Sequence, residues 1–293
     1  MLGSQLLLDV PPGWLAVGTD LIDAREGSPP VGFPGVDLCD AQAVERLLDS
    51  FEPGALGGIL HAAAYTAVDQ AESDVELCRK VNALMPQVLA RAAAKRDLPM
   101  VLVSTDFVFD GRGTRPYRVD DAPAPLGVYG HTKFEGEELA RAELGERLSI
   151  ARTQWLYGPR GKHFPGTILR LASERDALSI VDDQVGSPTS TLELAPALWD
   201  LLMTGSSGTF HAACEGTTTW YGFARAAVEL GGNDAAKGCA LSPCTTADYP
   251  TPAPRPAYSA LDSSRLTELR GRSFLPWRDA LAAFFEAEQR SSS

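Results

Sequence analysis

The sequence predicts an α/β protein: a doubly wound parallel sheet followed by a smaller C-terminal domain. Three observations predict it. Short apolar runs alternate with helical patterns through the first two-thirds of the chain, the signature of parallel strands covered by helices. Those runs are continuous rather than alternating, as in strands buried on both faces. A chain of 293 residues, 44% hydrophobic and 22% charged, is large enough for one big domain or two intimate ones.

The elements follow in order. MLGSQLLLDV sets Gly3 ahead of an apolar helical pattern, which is how a phosphate-binding loop runs into its helix. Strands are predicted at LAVGTD (15–20), GGILHAAA (57–64), MVLVST (100–105), LSIART (148–153) and ALSIVDD (177–183). Asp40 can cap a helix over AQAVERLLDSF. Helical spacing of apolar residues continues from Glu72 to about Lys95, and YGHTKFEGEELARAEL (129–144) forms a helix ending near Gly145.

Beyond residue 158 the pattern loosens. SPCTTADYPTPAPRPAYS (242–259) holds five prolines, too many for the interior of a sheet or helix. Composition alone allows a linker there, while the helical patterns on both sides favour an ordered loop inside the smaller domain. There are no repeats, and only the SSS tail reads as disordered. The expected division is a dinucleotide-binding domain over 1–158, with a returning segment at about 177–205, and a mainly substrate-binding domain over 159–293.

Charge and cysteine usage exclude several classes. A net charge of −12 argues against a nucleic acid or an anionic membrane as partner. No apolar run reaches the roughly 20 residues that span a bilayer, and no basic region precedes an apolar stretch as in a signal peptide. The five cysteines are scattered, with no CxxC pair. They predict reduced, buried thiols in a cytoplasmic protein without structural zinc or another metal.

The chemistry centres on Tyr129 and Lys133, a YxxxK pair. Four residues apart on a helix, they share one face. A nearby ammonium lowers a phenol's pKa toward working pH, making Tyr129 a candidate proton donor to a carbonyl oxygen. Alone the pair is weak, because Tyr and Lys at this spacing are common on helix surfaces. Ser104 and Thr105 strengthen it, standing at the C-terminal end of a predicted central strand, where open α/β sheets bind ligands. A hydroxyl there can hold the same carbonyl.

The stretches HAAAYTAVDQAES (61–73), STDFVFDG (104–111), VYGHTKFEGE (128–137), RTQWLYG (152–158), VDDQVGSPT (181–189), GTFHAACEGTTTWYGFA (208–224) and YPTPAPRP (249–256) carry a resemblance over almost the whole chain. It resembles the dTDP-4-dehydrorhamnose reductases of the extended short-chain dehydrogenase/reductases. The resemblance implies a Rossmann-like dinucleotide domain, NADPH or NADH as cofactor, and reduction of a dTDP-ketosugar. Thr105, Tyr129 and Lys133 would be catalytic. Asp106 would lie beside the sugar and Trp155 against the sugar–nucleotide. Met1, Leu2 and Gly3 would end the pyrophosphate loop, and Asp20, Asp37 and Leu38 would hold the adenosine half. Ala64, Tyr65, Thr66 and Val103 would line the way to the nicotinamide, whose ribose Lys133 would also hold.

Single residues sharpen this. Asp20 ends a strand where a carboxylate can accept from ribose hydroxyls and repel a 2′-phosphate, leaning toward NADH; a strand-end turn is its other reading. Arg255 is a candidate for the diphosphate, because a guanidinium fork matches phosphate oxygens, or else a surface charge. Phe107 replaces the Glu that related sugar dehydratases place after Asp, which favours simple reduction, and it lacks the hydroxyl of the Tyr usual in this family. His61 replaces an Asn and is expected to be packed and hydrogen-bonded rather than a base. Some relatives dimerise through a glutamate-bridged metal; Gln5 and Leu192 stand at those positions, so no metal is expected and the chain should be a monomer or weak homodimer.

Members of the family begin with a buried strand and GxxGxxG, of which only the third glycine, Gly3, is present here. The expectation is a native start about ten residues upstream; the other reading is a real truncation, with another segment filling the gap and cofactor binding weakened. The alternatives to a rhamnose-pathway enzyme are a non-catalytic subunit, like the similar regulatory subunit of methionine adenosyltransferase, and a reductase of another nucleotide-deoxysugar.

Overall fold

Met100–Thr105 forms the central strand of a four-stranded parallel sheet, ordered Gly208–His211, Leu148–Thr153, Met100–Thr105, Ile59–His61. The computed structural model describes residues 1–21 and 32–291. Side chains alternate between two buried faces, as strand geometry requires. Met100, Leu102, Leu148 and Ile150 face one layer, packed with Val44, Leu89, Ala93 and Ala140 from helices on that side. Val101 and Ala151 face the other, against Leu194, Leu198, Leu201 and the N-terminal Leu2 and Leu6. The result is a three-layer α/β/α arrangement, so the predicted fold class holds.

Local signals explain the covering helices. Asp40 accepts from Gln42 N–H and caps Ala41–Asp49, as expected. The helix predicted for 72–95 is divided: Val75–Arg79 and Met85–Ala94 are α-helical, and Lys80–Leu84 between them is a π-turn. Val128–Leu144 ends at Gly145, whose φ of 58° lies in the left-handed region where glycine is least strained. Leu2–Leu8 packs on Thr191–Met203, where the Trp199 indole donates to Leu6 O at 3.1 Å.

Three expectations change. Of the strand predicted at 15–20, only Thr19–Asp20 pairs, with Phe33–Pro34, in a separate two-stranded ladder. Leu15 is 85% exposed, so its apolar side chain has no sheet face to bury. Residues 177–181 pair with Ala240–Cys244 rather than with the main sheet. The Thr191–Met203 helix packs on the main sheet, and Gly208–His211 joins it beside Leu148–Thr153. Pro243 lies inside the 240–244 strand despite the proline-rich setting. Its ladder has no third strand among the described residues, and an edge strand tolerates proline.

The rest of the proline-rich stretch is ordered. Tyr258 N–H donates to Gly111 O at 3.1 Å and Ser259 N–H to Val185 O at 2.8 Å. Thr246 bonds Asp183 and Gln184, Arg255 bonds Asp69, and Tyr258 packs on the cluster of Phe109 and Tyr117. The serine tail beyond Ser291 lies outside the described residues. All five cysteines are free thiols. Among the described residues no helix is long and apolar enough to cross a membrane, and no three His, Cys, Asp or Glu gather as a metal would need.

Candidate active site

Parallel strands bring their C-terminal ends to one edge of the sheet, where open α/β proteins bind ligands. At that edge His61 Nε2, Ser104 Oγ, Asp106 Oδ2, Thr153 Oγ1 and Gln154 Nε2 are buried without a hydrogen-bond partner among the described residues. The large majority of buried polar atoms in folded proteins are satisfied. Five exceptions along one edge mark a surface built for a polar ligand.

Thr105, Tyr129 and Lys133 meet there. The Thr105 hydroxyl donates to Asp106 Oδ1 at 3.0 Å and accepts from Phe107 N–H at 3.2 Å, which fixes its rotamer. Tyr129 is half-buried, with the Phe107 ring edge-on at 5.5 Å. Lys133, one turn along the same helix, is 4% exposed and donates to Val103 O at 2.8 Å. Gly136 lets this helix approach the preceding layer, because a Cβ there would collide with Asn82 O.

The electrostatics correct one expectation. The Tyr129 phenol is held above its ordinary pKa, not below it. Burial is the main cause, the Asp106 carboxylate adds to it, and the facing Thr105 hydroxyl opposes it. Desolvation dominates because the phenolate would have to form out of contact with water. Burial also draws Lys133 down to about 8, against the Glu137 carboxylate. Tyr129 is therefore a fully protonated phenol at neutral pH, beside a lysine that loses its charge only above that. His61 is packed as expected, but its Nε2 makes no hydrogen bond. Burial and then the Lys133 charge push it to about 3, so the imidazole stays neutral.

The residues assigned to a cofactor are spread along the same edge and beyond it. Asp20 is exposed at the end of its short strand. Asp37 accepts from Cys39 N–H at 2.9 Å and pairs with Lys80 at 3.7 Å. That backbone hydrogen bond holds its carboxyl below the usual range. Leu38 packs against the core, and Met1, Leu2 and Gly3 start the first helix, with Leu2 buried. Ala64, Tyr65 and Thr66 form the loop after Ile59–His61, and Val103 offers the carbonyl that Lys133 binds.

The sequence did not single out Asn82. Its amide accepts from Tyr65 N–H at 2.9 Å and donates to Tyr65 O at 3.1 Å, gripping that loop by its backbone. It comes from the π-turn and lies 3.5 Å from Thr132 Oγ1 on the Tyr129 helix. An asparagine amid the apolar spacing of VNALMP was the available signal.

On the other side stand the residues assigned to substrate. Asp106 is 1% exposed, and burial raises its carboxyl to about 6 against hydrogen bonds from Ser259 and Thr105. Trp155 has a φ of 46°, a strained value for a bulky residue and one that clusters at functional sites. It stacks on Trp220 at 3.7 Å, and Gly186 makes room: a Cβ there would lie 2.7 Å from the Trp155 ring. Arg255 is partly buried and forks onto Asp69, Nη1 to Oδ1 at 2.7 Å and Nη2 to Oδ2 at 2.8 Å. It is thus more than a surface charge, tying the proline-rich loop to the Val68–Ala71 helix.

Comparisons with known proteins agree with this geometry. The RmlD substrate binding domain family matches residues 16–290. A dTDP-4-dehydrorhamnose reductase of Mycobacterium tuberculosis is 40% identical over 279 residues, covering 92% of this chain and 88% of that protein. Two solved dTDP-4-dehydrorhamnose reductases superpose closely. The Clostridium acetobutylicum structure has a TM-score of 0.86 at 32% identity, covering 98% of this chain and 96% of that one. The Bacillus anthracis structure, a complex with NADP, has a TM-score of 0.85 at 30% identity, covering 98% and 95%.

Proposed function

Because the chain belongs to the RmlD substrate binding domain family, we propose that it is a nicotinamide-dependent dTDP-4-dehydrorhamnose reductase. It reduces the C4 ketone of dTDP-4-dehydro-6-deoxy-L-mannose and yields dTDP-L-rhamnose. The observation that carries this reading is Thr105, Tyr129 and Lys133 converging on a buried edge lined with unpartnered polar atoms.

The unpartnered Ser104 hydroxyl and His61 imidazole, beside Lys133, suit the ribose and carboxamide of NADPH or NADH. Tyr65, Thr66, Val103 and Lys133 would hold that half, and Asp20, Asp37 and Leu38 the adenosine half. When bound, the nicotinamide supplies the hydride. The protein's own part is to place the ketone and protonate its oxygen. Thr105 orients the carbonyl by turning its one hydroxyl proton from Asp106 Oδ1 to the ketone oxygen. The Tyr129 phenol, protonated because it is buried, gives its proton to the far more basic developing alkoxide. The phenolate left behind is costly in a dry site, and the Lys133 ammonium with the Thr105 hydroxyl offsets that cost. The Trp155–Trp220 stack would wall the nucleotide side, and a diphosphate would take the Arg255 fork from Asp69.

The protein would act in the cytoplasm as a monomer or weak homodimer. The direct test is stoichiometric conversion of the ketosugar nucleotide to dTDP-L-rhamnose with loss of NADPH or NADH; no conversion refutes the reading.

A further inference from the structure

We infer that Gln154, paired with Asp106, reads the hydroxyl on C3 of the sugar, next to the ketone, and so sets which ketosugar is accepted. The inference rests on the reductase reading and adds a residue to it.

Thr105 and Thr153 are the last paired rung of two adjacent parallel strands. Asp106 and Gln154 each follow that rung directly, on strands that lie about 4.8 Å apart in such a ladder. They are 1% and 2% exposed. The Ser259 hydroxyl lies between them, bonded to Gln154 Oε1 at 3.3 Å and next to the Asp106 carboxyl. Gln154 Oε1 also accepts from Ser187 N–H at 3.1 Å. A backbone N–H can only donate, so the amide is fixed one way round and its NH2 is the other atom. That Nε2 has no partner among the described residues, and neither has Asp106 Oδ2.

An unpartnered donor and an unpartnered acceptor at neighbouring strand ends, not bonded to each other, match one hydroxyl group between them, which accepts through oxygen and donates through hydrogen. With Thr105 on the C4 carbonyl, the neighbouring ring positions of the substrate are C5, which carries a methyl group, and C3, which carries a hydroxyl. Only C3 can satisfy both atoms. Gln154 Nε2 donates to the C3 oxygen, and the C3 hydroxyl donates to Asp106 Oδ2.

The test compares kcat/KM for the parent ketosugar nucleotide and for its 3-deoxy analogue. Each enzyme supplies its own ratio, which is independent of how much of it is folded. Wild type is expected to prefer the parent by about 10,000-fold, as sites built around a substrate hydroxyl do. Gln154→Met, which cannot donate, should shrink that ratio at least tenfold, about what one hydrogen bond supplies. Gln154→Leu, likewise without a donor, should shrink it as much, with KM for NADPH unchanged in both variants. Wild-type discrimination retained by both variants, or absent from wild type while the parent is reduced normally, overturns the inference and leaves the reductase reading intact. A wild type that reduces neither compound overturns both.

Discussion

Lys133 Nζ donates to Val103 O at 2.8 Å, tying the helix that carries Tyr129 to the strand that carries Thr105. The bond holds the two halves of the site in register. It also keeps an ammonium in a dry place, one helical turn from Tyr129. Replacing Lys133 with Met preserves the stem and removes both effects. Steady-state kinetics should show kcat down about 100-fold or more, in the range of general acid–base contributions, with KM for NADPH raised. A kcat within twofold of wild type would mean the ammonium does nothing for Tyr129.

The pH profile follows from three buried groups. Tyr129 is raised well above neutrality and stays protonated. Asp106 ionises at about 6 and is an acceptor only above that. Lys133 loses its charge at about 8 and supports the phenolate only below that. The plot of kcat/KM against pH should therefore be a bell, rising through about 6 and falling through about 8. In Asp106→Asn the acid limb should vanish while the alkaline limb stays.

Arg255 separates its two roles by mutation. If its fork binds the diphosphate, Arg255→Ala raises KM for the dTDP-ketosugar at least about tenfold, and Arg255→Lys does nearly as badly, because an ammonium cannot bind two oxygens in one plane. KM for NADPH should not move. Asp69→Ala, which removes the carboxylate the fork now grips, should leave KM for the ketosugar near wild type. A purely structural Arg255 would lower the melting temperature in both alanine variants and leave both KM values alone.

Glu137 and Arg152 form an ion pair at 2.6 Å with side chains 0% and 4% exposed, behind the site. Removing one partner strands a buried charge. Glu137→Ala should cost about 3–5 kcal/mol in chemical denaturation. Glu137→Met combined with Arg152→Met should cost much less, because no charge is left unpaired. Equal losses would show that packing, not charge, is at stake.

Much of the fold was legible where local pattern and tertiary packing agree. The strands at 100–105 and 148–153 have their predicted bounds because a continuous apolar run has no other burial available in this chain. The Asp40 cap and the stop at Gly145 were written in single residues. At 15–20 the residues are strand-like, but little of the sheet lies there to receive them, so a propensity without a partner goes unused. Residues 177–181 carried no mark of which ladder they would join, since pairing is decided at long range. In the site, residue types and spacing gave Thr105, Tyr129 and Lys133. They did not give the sign of the Tyr129 shift, which depends on how deeply the phenol is buried. Asn82, Ser259 and the Asp69 grip on Arg255 were hidden because each joins segments far apart in sequence.

Proton transfer from Tyr129 to the sugar ketone is the step on which the reaction turns. It is tested most directly by following NADPH oxidation with dTDP-4-dehydro-6-deoxy-L-mannose in wild type and Tyr129→Phe. Wild type should turn over, and the variant, lacking only the phenolic oxygen and its proton, should be slower by about 1000-fold, within the span of lost acid catalysis. A Tyr129→Phe enzyme as fast as wild type would contradict the account.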